Sequence, residues 1–133
     1  MTVMLDTNII ISAGLFGGSR LAKWALRIAD ECNLVLSSAI ISELWKVMDE
    51  KFPMKKPVME WFLKRPSYEI SYTPTEIDTE IYPKIRDKKD YPILASAIIA
   101  DVDVFITGDG DFDPVDIERP EIMKIEDFTK KYL

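Results

Sequence analysis

Apolar positions along this chain follow two rhythms. Short unbroken runs, residues 2 to 5, Leu34-Val35-Leu36 and Val104-Phe105-Ile106, read as strands buried on both faces. Between them, apolar residues recur at helical spacing. Leu21, Trp24, Ala25 and Ile28 predict a helix to about Glu31 with Ser19 as its N-cap. Ile40, Leu44, Val47 and Met48 predict one to about Lys51, capped by Ser37 or Ser38 and ended by Pro53. Residues 9 to 14 read as a short helix before the break at Gly17 and Gly18. Pro57 sits in the first turn of a further helix, running to about Lys64.

The second half repeats the alternation. Tyr68 to Tyr72 alternates like a strand. Residues 73 to 89 carry little periodicity; Thr75 to Ile81 has room for a helical turn or two before Pro83. Asp90 then stands as the cap of a helix with Pro92 in its first turn and Ile93, Leu94, Ala97 and Ile98 on its apolar face. Residues 122 to 124 read as a last strand, followed by a helix to Tyr132. Strands alternating with helices predict an α/β fold, a parallel sheet of four to five strands covered on both faces, in one domain spanning residues 1–133.

Composition narrows the chemistry. The chain contains no histidine, so the usual neutral-pH general base and the commonest zinc ligand are both missing. Cys32 is the lone cysteine, which excludes an intrachain disulfide and a cysteine zinc site and fits a cytoplasmic protein. No apolar run approaches the roughly 20 residues of a membrane-spanning helix. Net charge is −6, unusual for a nucleic-acid binder, but it is unevenly spread. Residues 101 to 127 hold ten acids against two bases, whereas residues 44 to 65 and 84 to 89 are basic.

Four acids stand out by position. Asp6 follows the first strand and Asp109 the strand at 104–106; Asp90 opens the helix before that strand, and Glu43 lies early in the helix after the second. All four fall at the carboxyl edge of a parallel sheet, where open α/β sheets hold ligands. Like charges gathered there repel unless a cation joins them. With oxygen donors alone, the ion expected is Mg²⁺ or Mn²⁺. Asp111 stands as a fifth member, and Asn8 as a group to orient Asp6 or a water. Taken singly, each has a plainer reading: Asp90 as a helix cap, Glu43 as a solvated helix acid, Asp109 and Asp111 as turn residues beside Gly110.

The ordered set resembles a known family. Leu5-Asp6-Thr7-Asn8 with its apolar tail is similar to the opening motif of PIN domains; Ser42-Glu43-Leu44, Asp90-Tyr91-Pro92-Ile93-Leu94-Ala95-Ser96-Ala97 and Thr107-Gly108-Asp109-Gly110-Asp111-Phe112 resemble the second, third and fourth acidic motifs. Asp87 competes with Asp90 for the third place, and the apolar spacing favours Asp90. The match runs over nearly the whole chain and looks most like single-domain prokaryotic members, including VapC-type toxins. It implies a three-layer α/β/α sandwich, a Mg²⁺- or Mn²⁺-dependent endoribonuclease, a homodimer, and an antitoxin partner.

On that resemblance Asp6, Asp90 and Asp109 are the main ligands, with Glu43 binding a second ion or orienting water, Asp111 assisting, and Thr107 bonding a carboxylate or phosphate. Lys46, Arg86 and Lys88, with Lys84 and Lys89, are candidates to follow the RNA backbone, each also readable as solvated charge. Trp24, Trp45 and Trp61 read as helix packing ahead of base stacking. Met48, Phe52, Met54, Met59, Trp61 and Phe62 offer more apolar surface than one small core needs, part of it a candidate interface. Two rival readings stand: an Asp-based phosphohydrolase, disfavoured because Asn8 replaces the second acid of its Asp-x-Asp motif, and a PIN-like module that binds without cleaving.

Overall fold

A computed structural model describes residues 1–133. Five parallel strands, β1 (Thr2–Leu5), β2 (Asn33–Ser37), β3 (Glu69–Ser71), β4 (Val104–Ile106) and β5 (Glu121–Met123), form one sheet in the order β3-β2-β1-β4-β5. Six helices cover it: α1 (Thr7–Leu15), α2 (Arg20–Glu31), α3 (Ser38–Lys51), α4 (Lys56–Leu63), α5 (Tyr91–Ile99) and α6 (Ile125–Tyr132). The result is the parallel sheet that the alternation implied, in the α/β/α sandwich that the resemblance implied.

The three central strands are the unbroken apolar runs. Val3, Met4, Leu34, Leu36, Phe105 and Ile106 are all buried, because helices lie on both faces. The outer strands are shorter and wetter: Glu69 and Ile70 of β3 are exposed. β3 is trimmed by a residue at each end relative to the alternating stretch, and β5 starts one residue earlier than its apolar run suggested. Serine caps fix the starts of two helices; Ser19 accepts from the Ala22 N–H and Ser37 from the Ile40 N–H, each at 3.1 Å.

Three expectations need correction. Helix α1 starts at Thr7, not residue 9, because Asp6 itself is its cap. Residues 73–89 form no α-helix, only a 3₁₀ turn at Thr79–Ile81 begun by Asp78 and the start of another at Lys88, since the stretch has no apolar period to hold a longer helix. Trp61 does not pack inward: Met59 and Phe62 take the buried face of α4, and Trp61 is 64% exposed with the Arg65 guanidinium 5.1 Å from its ring. The apolar excess of residues 38–65 thus divides, Met48, Met59 and Phe62 entering the core while Phe52, Met54 and Trp61 face solvent. Gly14 lets α1 and α4 approach closely, for a Cβ there would stand 2.7 Å from the Met59 methyl.

The strand order opens a crevice at one edge of the sheet. The chain runs outward from β1 to β3 on one side and to β5 on the other, so the direction of winding reverses between β1 and β4. Loops leaving adjacent strands at such a switch point diverge to opposite faces, which leaves the crevice at the carboxyl edge. Asp6 and Thr107 are the first residues past those two strands.

Candidate metal centre

Asp6 is buried, in the extended conformation that ends β1. One carboxylate oxygen, Oδ1, accepts from the Thr7 N–H at 2.8 Å; the other, Oδ2, accepts from the Thr107 hydroxyl at 2.6 Å. Thr107, also buried, accepts in turn from the Asp109 N–H at 3.0 Å. One hydroxyl therefore joins the acid after β1 to the acid after β4. Asn8, expected to orient Asp6, is exposed and makes no hydrogen bond to it; Thr107 does that instead.

The turn after β4 is held from beneath. Phe112 is buried edge-on against Phe105 of the sheet, ring centres 5.2 Å apart, a contact worth about 0.5–1.5 kcal/mol beyond its buried area. Asp109 begins a 3₁₀ turn over Gly110–Phe112 and accepts from the Asp111 N–H at 2.9 Å, so the turn-residue reading holds for it. That bond leaves its second oxygen available.

On the other side of the crevice, Ile85 is buried and anchors the segment before α5. The Arg86 N–H donates to the Asp111 carbonyl at 3.4 Å, tying this segment to the Asp109–Phe112 turn. Asp87 caps a 3₁₀ turn over Lys88–Asp90 by accepting from the Lys89 N–H. Asp90 precedes α5 but makes no capping hydrogen bond, contrary to the cap reading. The cap of this segment is Asp87, and Asp90's carboxylate has no structural partner.

Carboxylate oxygens of Asp87, Asp90 and Asp111 lie within 4.8 Å of one another. Asp87 and Asp90 thus both contribute an oxygen to this group. Asp90 is pushed up to about 7, first by burial and then by the charges of Asp109, Asp87, Asp111 and Asp6. Burial also raises Asp6, partly offset by the bonds from Thr107 and Thr7, with Glu43 and Asp109 raising it further. These mutual effects place Glu43, half-buried on α3, in the same electrostatic field. Of the basic candidates, Arg86 pairs with Asp111 at 3.8 Å, while Lys46 and Lys88 are exposed and unpaired.

This donor set fits a hard divalent cation. It offers carboxylate oxygens only, from four segments converging on one crevice, with the repulsion that a cation would relieve. Thr7 adds a hydroxyl that is buried beside Asp6 without a hydrogen-bond partner, which its position next to a site acid was the only signal for. The largest cleft, about 520 Å³, reaches Thr107 but none of these acids, and its lining sets Asp113, Glu118, Glu121 and Asp127 against the single Lys124, a poor path for a polyanion.

A family model described as "PIN domain" matches residues 2–111. No curated protein matches the chain. Among solved structures, a chain of VapBC2 from Rickettsia felis, crystallised bound to a DNA fragment from their promoter, is similar with a TM-score of 0.67 at 20% sequence identity. The alignment covers 93% of this chain and 98% of that one.

Proposed function

The chain belongs to the PIN domain family, and on that premise we propose that it is a divalent-metal-dependent endoribonuclease acting as the toxin of a toxin–antitoxin pair. The observation that carries the reading is the convergence of Asp6, Asp87, Asp90, Asp109 and Asp111 at the β1/β4 switch point without a full complement of protein cations. PIN domains are generally nucleases, and the VapBC2 neighbour accords with the toxin resemblance of the sequence.

Asp6, Asp90 and Asp109 would be the main holders of Mg²⁺ or Mn²⁺, with Asp111 and Glu43 completing the acidic wall. Bound there, the ion supplies charge neutralisation at the scissile phosphate and activation of the attacking water. The chain's own groups set the stage for it. Thr107 fixes the rotamer of Asp6 and the register of Asp109 through one hydroxyl. Phe112 and Ile85 pin the two loops that carry the remaining acids. Glu43 is the residue to orient water, because without histidine a carboxylate must do so. Lys46, Arg86 and Lys88, all exposed, would contact the RNA backbone.

No helix is long and apolar enough to cross a membrane. The reading carries with it a cytoplasmic enzyme, a homodimer, and a neutralising antitoxin. The deciding experiment is cleavage of single-stranded RNA with Mg²⁺ or Mn²⁺ by wild type, Asp6→Asn and Asp90→Asn. Cleavage by wild type alone, abolished by chelation, is the expected result. Equal cleavage by the variants sinks the site assignment. RNA binding without cleavage by wild type would favour the non-cleaving module, and hydrolysis of a simple phosphomonoester the phosphohydrolase.

A further inference from the structure

One cation lies against the acidic cluster. Arg86 places its Nη1 3.8 Å from Asp111 Oδ1 and within 4.0 Å of where a Cβ on Gly110 would lie, so its guanidinium covers the Asp109–Phe112 turn. Its backbone is fixed by the buried Ile85 beside it and by its N–H bond to the Asp111 carbonyl. Its side chain is not fixed: it is 62% exposed, and the ion pair is too long for a strong hydrogen bond. Lys84, Lys88 and Lys89 on the same segment point into solvent with no acid partner. A rooted backbone with a loosely held, delocalised charge is suited to changing partners.

The charge balance of the crevice shows why a partner change is needed. Asp6, Glu43, Asp87, Asp90, Asp109 and Asp111 together outweigh one or even two divalent ions when ionised. A phosphate approaching such a site meets residual negative charge unless a protein cation comes forward. We propose that Arg86 is a resident counter-cation: it holds Asp111 while the crevice is metal-free, and it is released onto the RNA phosphate when a divalent ion takes the carboxylates. This rests on the metal-dependent nuclease reading and adds to it a residue that both competes with the metal and receives the substrate.

The test measures metal binding apart from turnover. Mn²⁺ is titrated calorimetrically into RNA-free wild type, Arg86→Ala, Lys89→Ala, Asp111→Asn and the Arg86→Ala/Asp111→Asn double variant. Arg86→Ala is expected to bind Mn²⁺ roughly two- to fivefold more tightly than wild type, the range of an exposed ion pair. Lys89→Ala, which removes the same charge nearby but no side-chain contact with an acid, should change it by less than about twofold. In the Asp111→Asn background the Arg86 effect should vanish, because the shared contact is gone. In RNA cleavage, Arg86→Ala should raise KM by roughly fivefold with kcat within about twofold of wild type, as for lost uniform binding. Unchanged or weaker Mn²⁺ binding by Arg86→Ala, an equal effect from Lys89→Ala, persistence of the effect in Asp111→Asn, or an unmoved KM each overturns the role of Arg86. A wild type that binds no Mn²⁺ overturns the metal reading itself.

Discussion

The two edges of this sheet carry the same kinds of residue in opposite states. At the amino edge, Asp103 precedes β4 and accepts from the Thr2 N–H at 2.8 Å, while Thr2's hydroxyl donates to the same carboxylate and accepts from the Asp103 N–H. At the carboxyl edge, Thr107's hydroxyl donates to Asp6 and accepts from the Asp109 N–H. The threonine–aspartate device is shared. What differs is the cation. Arg119 spans Asp101 and Asp103 with bonds of 2.8 and 2.7 Å, and Asp103 is held below its ordinary value, first by the Thr2 N–H and then by that guanidinium. The carboxyl edge has only the long Arg86 contact, and Asp6 and Asp90 are raised. A structural acid is neutralised by its own chain; acids left repelling their neighbours mark a candidate functional site.

The sharpest way to break this contrast is a crossed pair of substitutions. Asp90→Asn should reduce RNA cleavage on the order of 100-fold or more, since even groups behind metal ligands cost 10–100-fold. It should not lower the melting temperature of the metal-free protein. Asp103→Ala should do the reverse, leaving cleavage by the folded protein near wild type and lowering the melting temperature by roughly 3–5 °C for about 1 kcal/mol. If Asp103→Ala abolishes cleavage in protein that melts like wild type, the two edges are not functionally distinct.

How far the sequence revealed this division depends on what each residue packs against. β1, β2 and β4 were readable because both faces are buried and their apolar runs are continuous. Asp6 and Asp109 were readable because they follow such runs. Sequence alone does not separate Asp87 from Asp90, because residues 73–89 have no period to fix their geometry. The 3₁₀ turn over Lys88–Asp90, in which side chains three apart eclipse, brings both carboxylates to the same side. Nor could spacing reveal Arg119 as the clamp of the amino edge, since it lies 18 residues beyond Asp101 in a loop.

A second contrast is titration. Asp90 has a folded pKa of about 7 against an ordinary 3.8, so stability from its protonated form is complete below 3.8 and is lost as pH rises toward 7. Asp103 runs the other way: its contribution is present above 3.8 and lost as pH falls through its depressed folded value. In chelator, Asp90→Asn should therefore match wild type near pH 4 and melt higher near pH 7.5. The gap should be roughly 3–5 °C, limited by water reaching the carboxyl. Saturating Mn²⁺ should reverse it by stabilising wild type more than the variant, about 2.7 kcal/mol for wild type at a hundredfold excess over its Kd. Differential scanning fluorimetry across pH, with and without Mn²⁺, checks both signs; a gap that is constant from pH 4 to 7.5 removes Asp90 from the uncompensated set.

The two threonines compare the edges most directly, and Thr2 should show the smallest effect of all. Thr2→Val and Thr107→Val delete the same hydroxyl from the same kind of bridge. Thr2 is partly exposed, so water replaces the lost partner and the cost should be about 0.5–1 kcal/mol with cleavage unchanged. Thr107 is buried, so Asp6 Oδ2 and the Asp109 N–H both lose a partner where water enters poorly, costing about 1–3 kcal/mol in metal-free protein. Removing that hydroxyl also frees Asp6 and Asp109 to move independently, which should lower Mn²⁺ affinity roughly 10-fold. Thr107→Ser, which keeps the hydroxyl, should recover most of that affinity. Calorimetric Mn²⁺ titration of the three variants reads the difference. Equal Mn²⁺ affinity for Thr2→Val and Thr107→Val would mean that the bridge at the carboxyl edge is only structural, like its counterpart at the amino edge.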